Sequence, residues 1–97
     1  MFFRNKAPKQ RDCYAVNTGL YIGEFFVFMG DNGNTLDFLS LPKMLVRIVP
    51  KDSYSKGIKY KILTHVATLP KDVYSVCRAQ YLKSKQSTTT LISPLSS

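Results

Sequence analysis

The sequence predicts a mainly β domain with one C-terminal helix, folded as a small, strongly bent antiparallel sheet or barrel of four or five strands. Three observations lead there. The densest apolar and aromatic stretch, residues 22–41, is split once by the turn cluster Asp31-Asn32-Gly33-Asn34 and reads as a β-hairpin. Short runs rich in β-branched and aromatic residues stand on either side of it, separated by Gly, Pro, Asn and Asp. Helical spacing emerges only near the C-terminus.

At 97 residues the chain has room for one domain, and a hydrophobic share of 44% supports a packed core rather than a disordered chain. Residues 1–11 hold Arg4, Lys6, Lys9 and Arg11 with no acid, and Pro8 interrupts any periodicity. They are predicted to be a flexible basic arm, with Phe2 and Phe3 docking on the body. Residues 86–97 are uncharged and rich in Ser and Thr, the composition of a disordered tail or a clip held by Leu91 and Ile92. The globular unit is therefore residues 12–85. Six Phe and six Tyr supply its bulk, since each aromatic ring can bury about 150–250 Å².

Cys13-Tyr14-Ala15-Val16-Asn17 is the first candidate strand, closed by Asn17-Thr18-Gly19. Leu20-Tyr21-Ile22 leads into Gly23, a candidate bulge within the next strand. In the hairpin, Phe26 and Phe28 fall on one face and Phe25, Val27 and Met29 on the other, so both faces are apolar and need cover. On the return strand Leu36 and Phe38 share a face while Leu39 and Leu41 share the opposite one, which predicts a bulge or bend near Phe38-Leu39. Pro42 ends pairing, 43–49 forms the next strand, and 51–57 is a polar loop. Ile58, Tyr60 and Ile62 alternate with Lys59 and Lys61, which predicts a strand with the apolar set inward, running on to Val66. Leu69-Pro70-Lys71-Asp72 starts a helix, and Val73, Val76, Cys77 and Tyr81 follow its period; the β-branched content of Val73–Arg78 leaves a strand as the alternative.

Charge divides the domain. From Asp12 to Pro42 there is no base, only Asp12, Glu24, Asp31 and Asp37. From Lys43 to Lys61, six bases face Asp52 alone. Lys43, Arg47, Lys59 and Lys61 are expected to form one patch on neighbouring strands, extended by Arg4, Lys6, Lys9 and Arg11 and by the helix face with Lys71 and Arg78. With a net charge of +8, such a patch suits nucleic acid, where Lys and Arg neutralise phosphates and tyrosines stack on bases. Tyr60 argues against this, because its alternation places it in the core. The acidic hairpin, through Glu24, Asp31 and Asp37, suits a protein partner, as does an exposed edge strand. A bipolar surface also suits head-to-tail self-assembly.

Reaction chemistry finds little footing. His65 is the only histidine, so a metal site lacks ligands, and pairing with Cys77 as nucleophile lacks any local signature. The carboxylates are scattered, and Gly30 and Gly33 belong to a turn rather than a phosphate loop. No enzyme, cofactor or metal is expected. Two distant cysteines read as core residues in a reducing compartment, and the absence of a leader or an apolar run of spanning length predicts a cytoplasmic protein without membrane contact.

Tyr14-Ala15-Val16-Asn17, then Gly19 through Phe28, then the turn at Gly33, resemble the glycine placement and strand lengths of small SH3-like barrels, including the KOW type of transcription and ribosomal proteins. The resemblance spans residues 12–66 and implies a barrel that binds peptide, protein or nucleic acid. The short length and basic ends also resemble small accessory proteins of tailed bacteriophages, which would act in the host cytoplasm. The functional expectation is a small non-enzymatic basic module that contacts nucleic acid or a nucleic-acid-associated complex. The alternatives are a protein-interaction module, including one by which a phage protein modulates a host protein, and a self-assembling structural subunit.

Overall fold

A computed structural model describes the backbone of residues 7–95 and the side chains of residues 7–85. The elements in order are β1 (Asp12–Val16), β2 (Phe25–Asp31), β3 (Thr35–Leu41), β4 (Leu45–Pro50), α1 (Lys51–Lys59), β5 (Leu63–Thr68) and α2 (Lys71–Leu95). The strands form one antiparallel sheet in the order β4-β3-β2-β1-β5. The fold is thus mainly β as expected, with a sheet that stays open and a second helix that was not expected. The predicted arm at 1–6, with the docking of Phe2 and Phe3, lies outside the described residues, as do the side chains of Leu91 and Ile92.

The hairpin forms as its turn chemistry requires. Gly33 takes φ +97, its N–H donates to Asp31 Oδ1 at 2.8 Å, and Asn32 N–H donates to the Thr35 carbonyl at 2.9 Å. Phe28 pairs with Phe38 and Val27 with Leu39, so the two apolar faces of β2 continue across β3. Each face has its own cover. On one, Tyr14, Val16, Phe26, Phe28, Leu36 and Phe38 pack with Tyr54 of α1 and Leu63 of β5. On the other, Cys13, Val27, Met29 and Leu39 pack with Cys77 and Tyr81 of α2. Phe38 is the hub of the first cluster, with ring centroids 5.6 Å from Phe26, 5.7 Å from Phe28 and 6.2 Å from both Tyr14 and Tyr54.

This double cover corrects one expectation. Phe38 and Leu39 are both buried because the sheet is covered on both sides, and β3 keeps its register there without a bulge. The irregularity sits across the ladder at Met29, between Phe28 and Gly30. Gly23 is likewise outside any strand: residues 20–23 form a turn, with Gly23 at φ +90.

The largest correction concerns residues 51–62. The expected polar loop is α1, and the expected strand at 58–62 is the end of that helix. Tyr54, Gly57 and Ile58 follow the helical i, i+3, i+4 spacing and turn toward the sheet. Gly57 is needed for close approach, because a Cβ there would stand 3.0 Å from Leu63 Cδ1. The helix closes with paired backbone bonds, Ile62 N–H to the Gly57 carbonyl at 2.8 Å and Lys61 N–H to the Ile58 carbonyl at 3.2 Å. That is a Schellman closure whose left-handed position, usually glycine, is Lys61 at φ +62. Tyr60 is consequently 64% exposed instead of in the core.

At the ends of the domain, residues 7–11 of the predicted arm are folded against the body. Pro8 is buried, and Lys9 N–H donates to Asp12 Oδ2 at 2.9 Å. α2 continues through 86–95, which composition assigned to the tail.

Replacing Phe38 with Ala removes the hub of the first cluster. Phe38→Ala is expected to lower the unfolding free energy by about 3–5 kcal/mol, read as a fall in the urea midpoint; a loss under about 1 kcal/mol would show that the aromatic cluster is not what holds α1 to the sheet.

Candidate binding surfaces

The expected patch of Lys43, Arg47, Lys59 and Lys61 is divided in two. Lys43 and Arg47 belong to the β4 edge, whereas Lys59 and Lys61 follow α1 across the sheet to its opposite edge beside β5. The split follows from the helix: with 51–59 helical, Lys59 and Lys61 are no longer on a strand next to β4.

At the β4 edge the cations are already engaged. Glu24 is buried and accepts hydrogen bonds from Ser40 Oγ, Arg47 Nε at 3.3 Å and Arg47 Nη2 at 3.1 Å, with Lys43 Nζ at 3.5 Å. Burial alone would raise the Glu24 carboxyl; the Ser40 and Arg47 hydrogen bonds, with the charges of Arg47 and Lys43, outweigh it and hold the group below its ordinary value. Arg47 also lies over the Tyr21 ring, 4.2 Å from its centroid. Glu24 thereby ties the 20–23 turn to β4.

The other acidic residues named from sequence are distributed differently than expected. Asp37 is fully buried on the α2 face, where it accepts from Tyr81 Oη, from Lys85 Nζ at 2.8 Å and from Asn32 Nδ2 at 2.7 Å. Nearby, Arg78 Nη1 donates to the Met29 carbonyl at 2.9 Å, at the bulge. With Glu24 and Asp37 enclosed, Asp31 alone of the three presents its carboxylate to solvent. It pairs with Lys51 at 3.1 Å, and the Gly33 N–H followed by Lys51 lowers its pKa.

Glu24, Asp31, Asp37 and Asp52 have Lys or Arg ion-pair partners among the described residues, and Asp12 Oδ1 is in hydrogen-bond contact with His65 Nε2 at 3.1 Å. The positive excess therefore collects on Lys9, Lys59, Lys61, Lys71 and Lys83, which are exposed and in no ion pair among the described residues. Lys59 and Lys61 bracket Tyr60 at one end of β5, with Lys59 Nζ 5.5 Å from the Tyr60 ring centroid. At the other end, Leu69 N–H donates to the Arg11 carbonyl at 2.8 Å, and Arg11 Nη1 to the Leu69 carbonyl at 3.4 Å. Lys9, Arg11 and Lys71 thus surround the β5–α2 junction. Arg4 and Lys6 lie outside the described residues. Sequence alternation hid Tyr60 as a surface residue; the signal that would have found it is the Lys-Tyr-Lys triplet itself.

A groove of about 620 Å³ opens on the α1 side of the sheet. Val16, Phe26 and Leu63 form its apolar floor, with Tyr21, Arg47 and Val49 on its walls. Nothing in the sequence marked it, because its walls come from β1, β2, β4, α1 and the 18–21 turn at once.

The thiols of Cys13 and Cys77 are buried in the α2-side cluster and pushed up by that burial, so both stay protonated near neutrality. No helix among the described residues is long and apolar enough to cross a membrane. Comparison with family models, with curated proteins and with solved structures returned no match.

The Glu24 network makes a pH-dependent contribution. The folded carboxyl titrates below its ordinary value, so its stabilisation is complete above that ordinary value and is lost as pH falls through the lower folded one. Glu24→Gln is expected to cost about 1–3 kcal/mol at neutral pH, with the gap to the native chain narrowing once pH drops below about 4.5. Urea unfolding across that range checks it, and a gap unchanged down to about pH 3 would refute an ionised Glu24.

Proposed function

We propose that the protein is a small non-enzymatic basic module that contacts nucleic acid along the β5 margin. Lys59, Tyr60 and Lys61 act at one end and Lys9, Arg11 and Lys71 at the other, with Arg4 and Lys6 preceding Lys9 in sequence. The observation that carries this reading is Tyr60, exposed between two unpaired lysines. Sequence reasoning had counted it against nucleic acid as a core residue.

The chemistry fits in two parts. Lys9, Lys59, Lys61 and Lys71 form no ion pair among the described residues, so they are available to displace counterions from phosphates. Tyr60 offers a ring on which an unpaired base can stack, a contact worth about 1–3 kcal/mol. β5 covers about 20 Å between the two cationic groups, room for several nucleotides of an extended strand. Arg47 and Lys43 drop out of this reading as central contacts, because they stand at the opposite edge of the sheet from Tyr60.

Fluorescence anisotropy with labelled mixed-sequence single-stranded RNA and duplex DNA tests it at low and moderate salt. Binding at low salt is expected to fall steeply as salt rises. Lys61→Gly is an informative variant, since it relieves the left-handed position by about 1 kcal/mol while removing a cation. It is expected to fold at least as well as the native chain and to bind more weakly, with the single-strand salt slope reduced by about 0.7. Tyr60→Ala is expected to weaken single-strand binding more than duplex binding. No binding of either probe at low salt would end this reading.

A further inference from the structure

We propose that the groove at the β4 edge is a docking site for an extended segment of a partner protein. The segment adds to β4 as a further strand, places an apolar side chain in the groove and sets a carboxylate against Lys43 and Arg47. This goes beyond the nucleic-acid reading and does not depend on it, since the two surfaces use opposite edges of the sheet.

Four observations converge on β4. It is an edge strand, so one side of its backbone has no strand partner. Residues 46–50 all line the groove, although in a strand successive side chains point to opposite faces. Val46 packs into the α2-side cluster and Ile48 pairs with Asp37 of that face, so both meet the groove through their backbone, and one ligand can reach the β4 backbone and the apolar floor together. Among the residues that line the opening, Leu20 is 87% and Tyr21 37% exposed. Apolar side chains gathered at a concave site mark a contact surface rather than scattered surface residues.

Charge selects the occupant. Arg47 and Lys43 together meet the single carboxylate of Glu24, which leaves one positive charge at this end of the groove. Glu24 uses only Nε and Nη2 of Arg47, so Nη1 remains open to a second carboxylate among the described residues. A second copy of this chain fits poorly, because its carboxylates next to β4, Glu24 and Asp52, are already paired with Arg47, Lys43 and Lys56 and offer nothing to that charge. A small anionic amphiphile would fill the groove but leave the exposed rim and the open backbone uncovered. An extended segment with alternating apolar residues and an acidic one satisfies all of these features, the mode of recognition in which backbone bonds give affinity and a pocket gives specificity.

Panning the full chain against a displayed library of random peptides, each long enough to match β4, tests the proposal. The enriched peptides are expected to alternate apolar residues and to carry Asp or Glu. On binding, the amides of β4 should exchange more slowly with solvent while those of β5 do not. Two variants at exposed positions leave the fold intact by circular dichroism: Ser53→Trp projects bulk into the groove from α1, and Leu20→Ser trims the rim. Each is expected to weaken the synthetic peptides by about tenfold, and Lys43→Glu to slow their association. The proposal is overturned if no peptide is enriched, if the peptides protect β5 instead, or if neither groove variant alters binding. It is also overturned if dodecanoate displaces a fluorescent amphiphile from the groove while no peptide does, or if light scattering finds a dimer that protects β4 without peptide.

Discussion

The β2–β3 ladder must be buried on both of its faces, and the rest of the molecule follows from that. Phe26, Phe28, Leu36 and Phe38 need cover on one side, Val27, Met29 and Leu39 on the other. Neighbouring strands cannot provide it, since they extend the sheet sideways. A chain of this size has two remaining segments, and each becomes a helix laid on one face. α1 reaches its place because β4 and β5 stand at opposite edges, so their connection has to cross the sheet. α2 reaches the other face after β5 has completed the sheet. With each aromatic burial worth a few kcal/mol, the double cover gives a domain this small two cores that share one layer of strands.

Two buried carboxylates fix where those covers sit. Glu24 binds the turn before β2 to β4 through Arg47 and Lys43, and Asp37 binds the hairpin to α2 through Tyr81 and Lys85. Paired buried charges gain little net stability after desolvation, but removing one partner is costly. Their effect is to discriminate against other placements of the turn and the helix, which apolar contact alone would tolerate. They also shape the surface. Glu24 and Asp31 of the acidic stretch pair with Lys43, Arg47 and Lys51 of the basic one, and the Lys residues left without an ion pair among the described residues outnumber the one such carboxylate, Asp72.

Features set by local periodicity were legible in the sequence. The hairpin, the alternation of Phe26 and Phe28 against Val27 and Met29, and the start of α2 at Lys71 all appear where the residue pattern put them. Residues 51–62 were not legible because their local signals conflict. Ser53, Ser55 and Gly57 resemble a loop, and Ile58, Tyr60 and Ile62 resemble a strand. What decides for helix is long-range: the α1-side face has to be covered, and Gly57 lets Leu63 come close enough to do it. A glycine at the helix end would have announced the stop, but Lys61 holds that position. The candidate sites inherited the error. Placing 58–62 on a strand put Tyr60 inside and joined Lys59 and Lys61 to Lys43 and Arg47. The groove was beyond local reading altogether, since it forms only where two separated stretches, 16–26 and 46–63, come together.

The two sheet edges are dressed differently, and this bears on how the molecule avoids joining to itself. An open edge invites another strand unless charge or bulk discourages it. β5 has no Lys, Arg, Asp or Glu from Leu63 to Thr68, yet cations stand at both of its ends. Antiparallel pairing of two β5 edges would set Lys59 and Lys61 of one copy against Lys71 and Arg11 of the other, so like charges oppose that dimer at both ends. β4 is guarded at one end only, by Lys43 and Arg47, and its other end runs into the apolar groove. The same cations that keep two copies apart are attractive to an anion, so protection from self-association and affinity for an acidic or phosphorylated ligand have one physical origin here. Which edge takes which ligand is then a matter of what lies between the charges: an exposed tyrosine beside β5, and an apolar cleft beside β4. The edges stand four strand spacings apart, about 19 Å, far enough for each to be occupied without excluding the other.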